Sequence, residues 1–132
     1  MHKRKLAVLL ILILLDLGCA KHPYSVHPGS LSNFDSQAAD ALVLYQANLN
    51  QAKSNIEMGL WPRDWSPEVD KAGELYNTTL QAYLVYRGVA KGVTKGDIAA
   101  LQTAITTDLQ NLADQLTTLY VRSGATLPGG KK

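Results

Sequence analysis

Three stretches of this chain space their apolar residues at helical intervals, and short polar breaks separate them. In the first, Ala38, Leu42, Tyr45, Leu49, Ala52, Ile56 and Leu60 advance by steps of three and four, which place side chains on one stripe of an α-helix. Gln, Asn, Asp, Lys and Ser fill most of the positions between them, as a solvated opposite face requires. The spacing predicts a helix over 34–59, with Asn33 as its N-cap and Asp35 close to the positive end of its dipole.

The break "GLWPRDWSP" comes next. Gly59 ends a helix well, Pro62 disfavours a helical Trp61, and Ser66 before Pro67 is a start signal, a cap followed by a proline at the first helical position. A second helix is expected over 67–91. Val69, Ala72, Tyr76, Leu80, Tyr83 and Ala90 keep helical spacing there, and Leu75, Leu84 and Tyr86 widen the stripe. Gly73 and Gly88 weaken it, each by about 1 kcal/mol relative to alanine. In "GVTKGD", Thr94 and Asp97 stand three apart before the next apolar run, an arrangement like a capping box. The third helix, expected over 95–122, carries the clearest pattern. Ile98, Ile105, Leu112 and Leu119 recur every seven residues, and Leu101, Leu109 and Leu116 fill the neighbouring row. Arg122 suits the negative end of a dipole, Gly124 can stop the helix, and residues 124–132 read as a disordered tail.

Three helices of this length, each about 38 Å long, are joined by short links, so neighbours must run antiparallel. The expected fold is all-α, an up-down-up three-helix bundle over 34–123 with coiled-coil-like packing. The competing architecture is a homo-oligomer in which the third helix finds its partner on another chain, since seven-residue spacing suits both. No stretch alternates with period two for long, which speaks against a sheet.

Ahead of the first helix the pattern changes. His2, Lys3, Arg4 and Lys5 form a basic cluster, an unbroken apolar run extends from Leu6 to Leu15, and Gly18 and Cys19 come after it. A basic start, a short apolar segment and a small residue at the cut make up the plan of a secretory signal, and the run is shorter than the roughly 18 residues of a permanent membrane span. Gly18 and Cys19 resemble the end of a bacterial lipoprotein signal; Asp16 stands where that pattern has leucine, with Leu15 and Leu17 to either side. The resemblance implies that residues 1–18 are removed, that the Cys19 thiol takes a diacylglycerol, and that its freed amine takes a third acyl chain. It also implies that Ala20, in a Gram-negative host, directs the protein to the outer membrane facing the periplasm. The alternative is a free thiol beside an uncleaved anchor. Cys19 is the only cysteine, so an exported chain has no disulfide to form. Residues 19–33, with prolines, glycine and serines up to Ser32, read as the lipidated end and a flexible tether.

The leader also sets the charge balance. The chain has 13 Lys and Arg against 11 Asp and Glu; losing Lys3, Arg4, Lys5 and Asp16 leaves ten of each. The basic balance therefore belongs to the export signal and does not point to nucleic acid.

Candidate chemistry is sparse. His22 and His27 lie in the tether without the further ligands that a metal needs, and read as solvated. No helix contains a histidine, so neither a bundle-held haem nor a serine or cysteine nucleophile has its base; no catalytic residue, metal or cofactor is expected. Asp64, Glu68, Asp70 and Glu74 gather at the start of the second helix, where they complement its dipole. Gly88, Gly92 and Gly96 lack the Gly-Lys-Ser/Thr ending of a phosphate loop and read as termination, or else close helix packing. The aromatics Trp61, Trp65, Tyr76 and Tyr83 are the candidate contact residues for a partner or ligand, against the plainer reading that they plug the end of the bundle. The sequence thus predicts a membrane-anchored envelope protein, a non-enzymatic interaction or structural module that holds an envelope partner. The alternative is a carrier that takes an apolar ligand among its tyrosines.

Overall fold

The computed structural model describes residues 27–124. Three helices of 25 residues each, α1 (Asn33–Glu57), α2 (Ser66–Ala90) and α3 (Ile98–Arg122), pack against one another, and a single 3-10 turn, Arg63–Trp65, precedes α2. The start of α1 meets the end of α2, where Asp35 bonds Tyr83 and Ser32 bonds Tyr86. The start of α2 meets the end of α3 through Glu68 and Arg122, and Tyr120 of α3 reaches the Asn48 carbonyl of α1. These pairings define an up-down-up bundle with α1 and α3 parallel.

The core is the stripe pattern closed on itself. Ile105, Leu109, Leu112, Leu116 and Leu119 of α3 are all but sealed from solvent, and face Leu42, Tyr45 and Leu49 of α1 and Val69, Ala72 and Tyr86 of α2. From Ile105 onward the seven-residue row is thus buried within one chain. α2 and α3 share the largest interface.

The stripes depart from expectation at their ends. Leu60, expected to close the α1 stripe, is 68% exposed, and Trp61 is buried in its place. α1 stops at Glu57 because Gly59 takes a positive φ of 76° and the Leu60 N–H turns back to the Asn55 carbonyl at 2.8 Å. That closure carries Leu60 and Trp61 off the helical period. Leu84 faces solvent while Tyr86 and Val89 are buried, and Ile98 lies half outside because α3 begins with it, beyond the packed layers.

Capping differs as well. Ser32, rather than Asn33, caps α1: its extended backbone directs Oγ to the Asp35 N–H at 3.1 Å. Ser66 is the first residue of α2 and caps nothing, since the 3-10 turn runs straight into the helix through Trp65. α3 starts at Ile98 and not near 95. Thr94 is drawn into the closure of α2, where its N–H and that of Val93 both bond the Gly88 carbonyl, and Asp97 alone caps α3 by accepting from the Ala100 N–H at 3.1 Å. Gly96 lies against Val89: an added Cβ would stand 2.8 Å from a Val89 methyl. Among the three glycines, close packing therefore accounts for Gly88 and Gly96, and a turn for Gly92.

Candidate functional site

The two tryptophans meet at the end of the bundle that holds the α1–α2 turn. The closure at Gly59 carries Trp61 inward, and the 3-10 turn brings Trp65 back over it, with ring centroids 5.5 Å apart. Tyr120 meets Trp61 edge-on at 4.9 Å. The Arg122 guanidinium lies 4.1 Å above the Trp65 ring and bonds Glu68 at 2.8 Å, so a cation–π contact and an ion pair hold one side chain. Burial pushes the Tyr120 hydroxyl up to about 12, and it donates to the Asn48 carbonyl at 2.8 Å. The rings close the bundle end, while Met58 (61% exposed) and Leu60 stand outside them. Two uncovered apolar side chains thus stand in the turn beside the packed rings.

Tyr76 and Tyr83 do not join this group. Tyr76 is buried at the edge of an open groove of about 390 Å³ between α1 and α2, lined also by Gln46, Asn50, Lys53, Asp70 and Glu74; burial raises its hydroxyl pKa. Tyr83 sits 18 residues beyond Trp65, about 27 Å along the helix axis. Its hydroxyl donates to the Asp35 carboxylate at 2.5 Å. Burial, and then that bond, hold its pKa far above the ordinary tyrosine value. The tyrosines expected to line a carrier cavity therefore serve different places.

Asp35 is the centre of a polar latch at the opposite end. Its carboxylate, 1% exposed, accepts the Leu31 N–H at 2.8 Å as well as the Tyr83 hydroxyl, and lies 3.7 Å from Arg87 Nε. Arg87 reaches over it to the Gly29 carbonyl at 3.2 Å. Ser32 Oγ pairs with the Tyr86 hydroxyl at 2.9 Å, and Phe34 packs edge-on against the same ring at 5.0 Å.

The histidine expected to be solvated is engaged too. The His27 backbone N–H donates to Ser36 Oγ at 3.0 Å and its ring pairs with Asp40 at 2.9 Å. Residues 27–32, assigned to the tether, are thus bound to the first turns of α1 and the last turn of α2. A proline, a glycine and serines without apolar spacing give no sign of such docking.

Cys19 and His22 lie outside the described residues. Among those residues, no three His, Cys, Asp or Glu side chains gather as a metal site would require, and no helix is long and apolar enough to cross a membrane. A second open groove of about 320 Å³ runs between α2 and α3, lined by Glu68, Lys71, Asp114, Gln115, Thr118 and Leu119. Comparison with known protein families, curated proteins and solved structures finds no match.

Proposed function

We propose that the protein is a lipid-anchored lipoprotein of the cell envelope whose bundle is a non-enzymatic interaction module, holding an envelope protein at its aromatic end. The anchor is Cys19, on the strength of the basic, apolar and Gly18–Cys19 pattern ahead of it; more than one acyl chain gives stable membrane attachment where one gives only marginal binding. In a Gram-negative host the destination is the outer membrane, facing the periplasm.

The observation that carries the interaction role is the exposure of Met58 and Leu60 in the turn that packs its tryptophans into the bundle end. Interface centres are enriched in aromatic residues and methionine and exclude water around them. This end lies opposite the one where residues 27–32 are held, so a bundle standing on its anchor offers it outward.

Two experiments test the reading. Intact mass of membrane-extracted protein should show an acyl increment that Cys19→Ser removes; equal masses would end the anchor proposal. A photo-crosslinker at position 60, in cells, should capture a discrete product that Met58→Asp abolishes and that a crosslinker at exposed position 77 does not form. Identical products from 60 and 77 would refute the interface, and a product of twice the chain's own mass would identify the partner as a second copy.

A further inference from the structure

We infer that the turn between α2 and α3 is a membrane-contact tip, which seats Val93 among the lipid headgroups with Lys91 and Lys95 at the phosphates of anionic lipid. The inference rests on the anchor proposed above, and adds to it a defined orientation of the bundle on the bilayer.

Position comes first. Residues 27–32 are held within about two helical turns of this end, through Ser36, Asp40 and Arg87. Cys19 precedes His27 by eight residues, so an acylated sulfur lies at most about 29 Å along the chain from the bundle, whatever path residues 19–26 take. Of the two ends, the one carrying the α2–α3 turn is the nearer to where the anchored segment joins the bundle.

Exposure is the second argument. All residues from Lys91 to Asp97 are exposed, and Val93, at 80%, is the most exposed large hydrophobic side chain among the described residues. Leu31 and Ile98 stand partly outside at the same end. Fraying does not account for this. The Gly92 N–H bonds the Val89 carbonyl, the Val93 and Thr94 N–H groups converge on Gly88, Gly96 abuts Val89, and Asp97 caps α3. The turn is built as a fixed projection, with a valine at its tip that the fold does not use.

Charge completes the match. Lys91 and Lys95 flank Val93 against one carboxylate in the turn, Asp97, which caps α3, so the turn carries a net positive charge of one. Each lysine near an anionic surface favours the seated state roughly fivefold. Such a contact could not hold the protein unaided, but tethering makes it intramolecular, where a weak affinity suffices.

The test uses the acylated full chain in vesicles of phosphatidylethanolamine with phosphatidylglycerol. An environment-sensitive label is placed through Val93→Cys or, at the far end, through Met58→Cys, the Cys19 sulfur being blocked by its lipid. The label at 93 should shift to the blue, be quenched by headgroup nitroxide lipid and be shielded from aqueous iodide; the label at 58 should do none of these. Lys91→Glu with Lys95→Glu, or vesicles of phosphatidylcholine alone, should bring the signal at 93 down to that at 58. Equal signals at 93 and 58 on vesicles that carry the protein would overturn the tip and leave the anchor standing. Protein that fails to float with the vesicles would overturn both.

Discussion

Replacing Asp35 with alanine removes the centre of the polar latch and leaves its partners in place. The carboxylate accepts two hydrogen bonds, from the Leu31 N–H at 2.8 Å and the Tyr83 hydroxyl at 2.5 Å. Bonds to a charged acceptor contribute about 1.5–3 kcal/mol each. The change also strips the buried end of an ion pair whose other member, Arg87, lies 3.7 Å away. Leaving one partner of such a pair alone costs about 3–5 kcal/mol, less here because the Arg87 side chain is 31% exposed and water can solvate it. These terms overlap, so the loss expected for Asp35→Ala is about 3–4 kcal/mol, a large share of the roughly 5–15 kcal/mol that holds a domain together. Tyr83→Phe removes one donor and should cost about 1.5–3 kcal/mol. Because each change breaks the same bond, the double variant should lose less than the sum, with a coupling of at least about 0.5 kcal/mol. Urea unfolding followed by helical circular dichroism measures all three. An Asp35→Ala protein within about 0.5 kcal/mol of the parent, or a strictly additive double variant, would refute the latch.

Burial and close packing elsewhere in the bundle set three more expectations. Tyr45, Tyr83 and Tyr120 have hydroxyl pKa values raised chiefly by burial; the stability they contribute is complete below the unfolded value near pH 10 and is lost as pH rises through the folded values. Stability should therefore fall as pH rises above about 10, and a flat urea midpoint between about pH 10 and 12 would count against it. Gly96→Ala should destabilise by about 1–3 kcal/mol, because its Cβ would stand 2.8 Å from Val89. Gly73→Ala, helical and with nothing within 4 Å of the new atom, should stabilise by about 0.5–1 kcal/mol; thermal melts with the reverse order would contradict both. Leu112→Ala should cost about 2–5 kcal/mol, and Leu60→Ser should stay within about 0.5 kcal/mol, despite the shared apolar character, because Leu112 is sealed and Leu60 is 68% exposed.

How far the fold is legible in the sequence depends on the range over which each feature is determined. The α3 row from Ile105 to Leu119 and the α1 stripe from Ala38 to Ala52 are periodic over several turns, and burial tracks the period. Helix ends depend on competition among a few neighbours. Ser32 wins over Asn33 because its backbone is extended and its hydroxyl also meets Tyr86. Thr94 is lost as a cap because its N–H closes α2. The latch is not legible at all. Asp35 reads as an ordinary dipole partner, and its meetings with Tyr83 and Arg87, 48 and 52 residues on, exist only once α1 and α2 lie antiparallel. The aromatic turn is half legible: residue type marks Trp61 and Trp65 as a unit, but only the Gly59 closure decides that Trp61 goes in and Leu60 stays out.

The strap over residues 27–32 has a mechanical meaning. Any tension arriving from the N-terminal side reaches the bundle through His27, Gly29 and Leu31, which grip Ser36, Asp40, Arg87 and Asp35. Those bonds bridge two helices, so freeing residues 27–32 means breaking contacts to α1 and to α2 alike. Whatever reaches this end of the chain is thus received by both helices, and the first turn of α1 does not bear it alone.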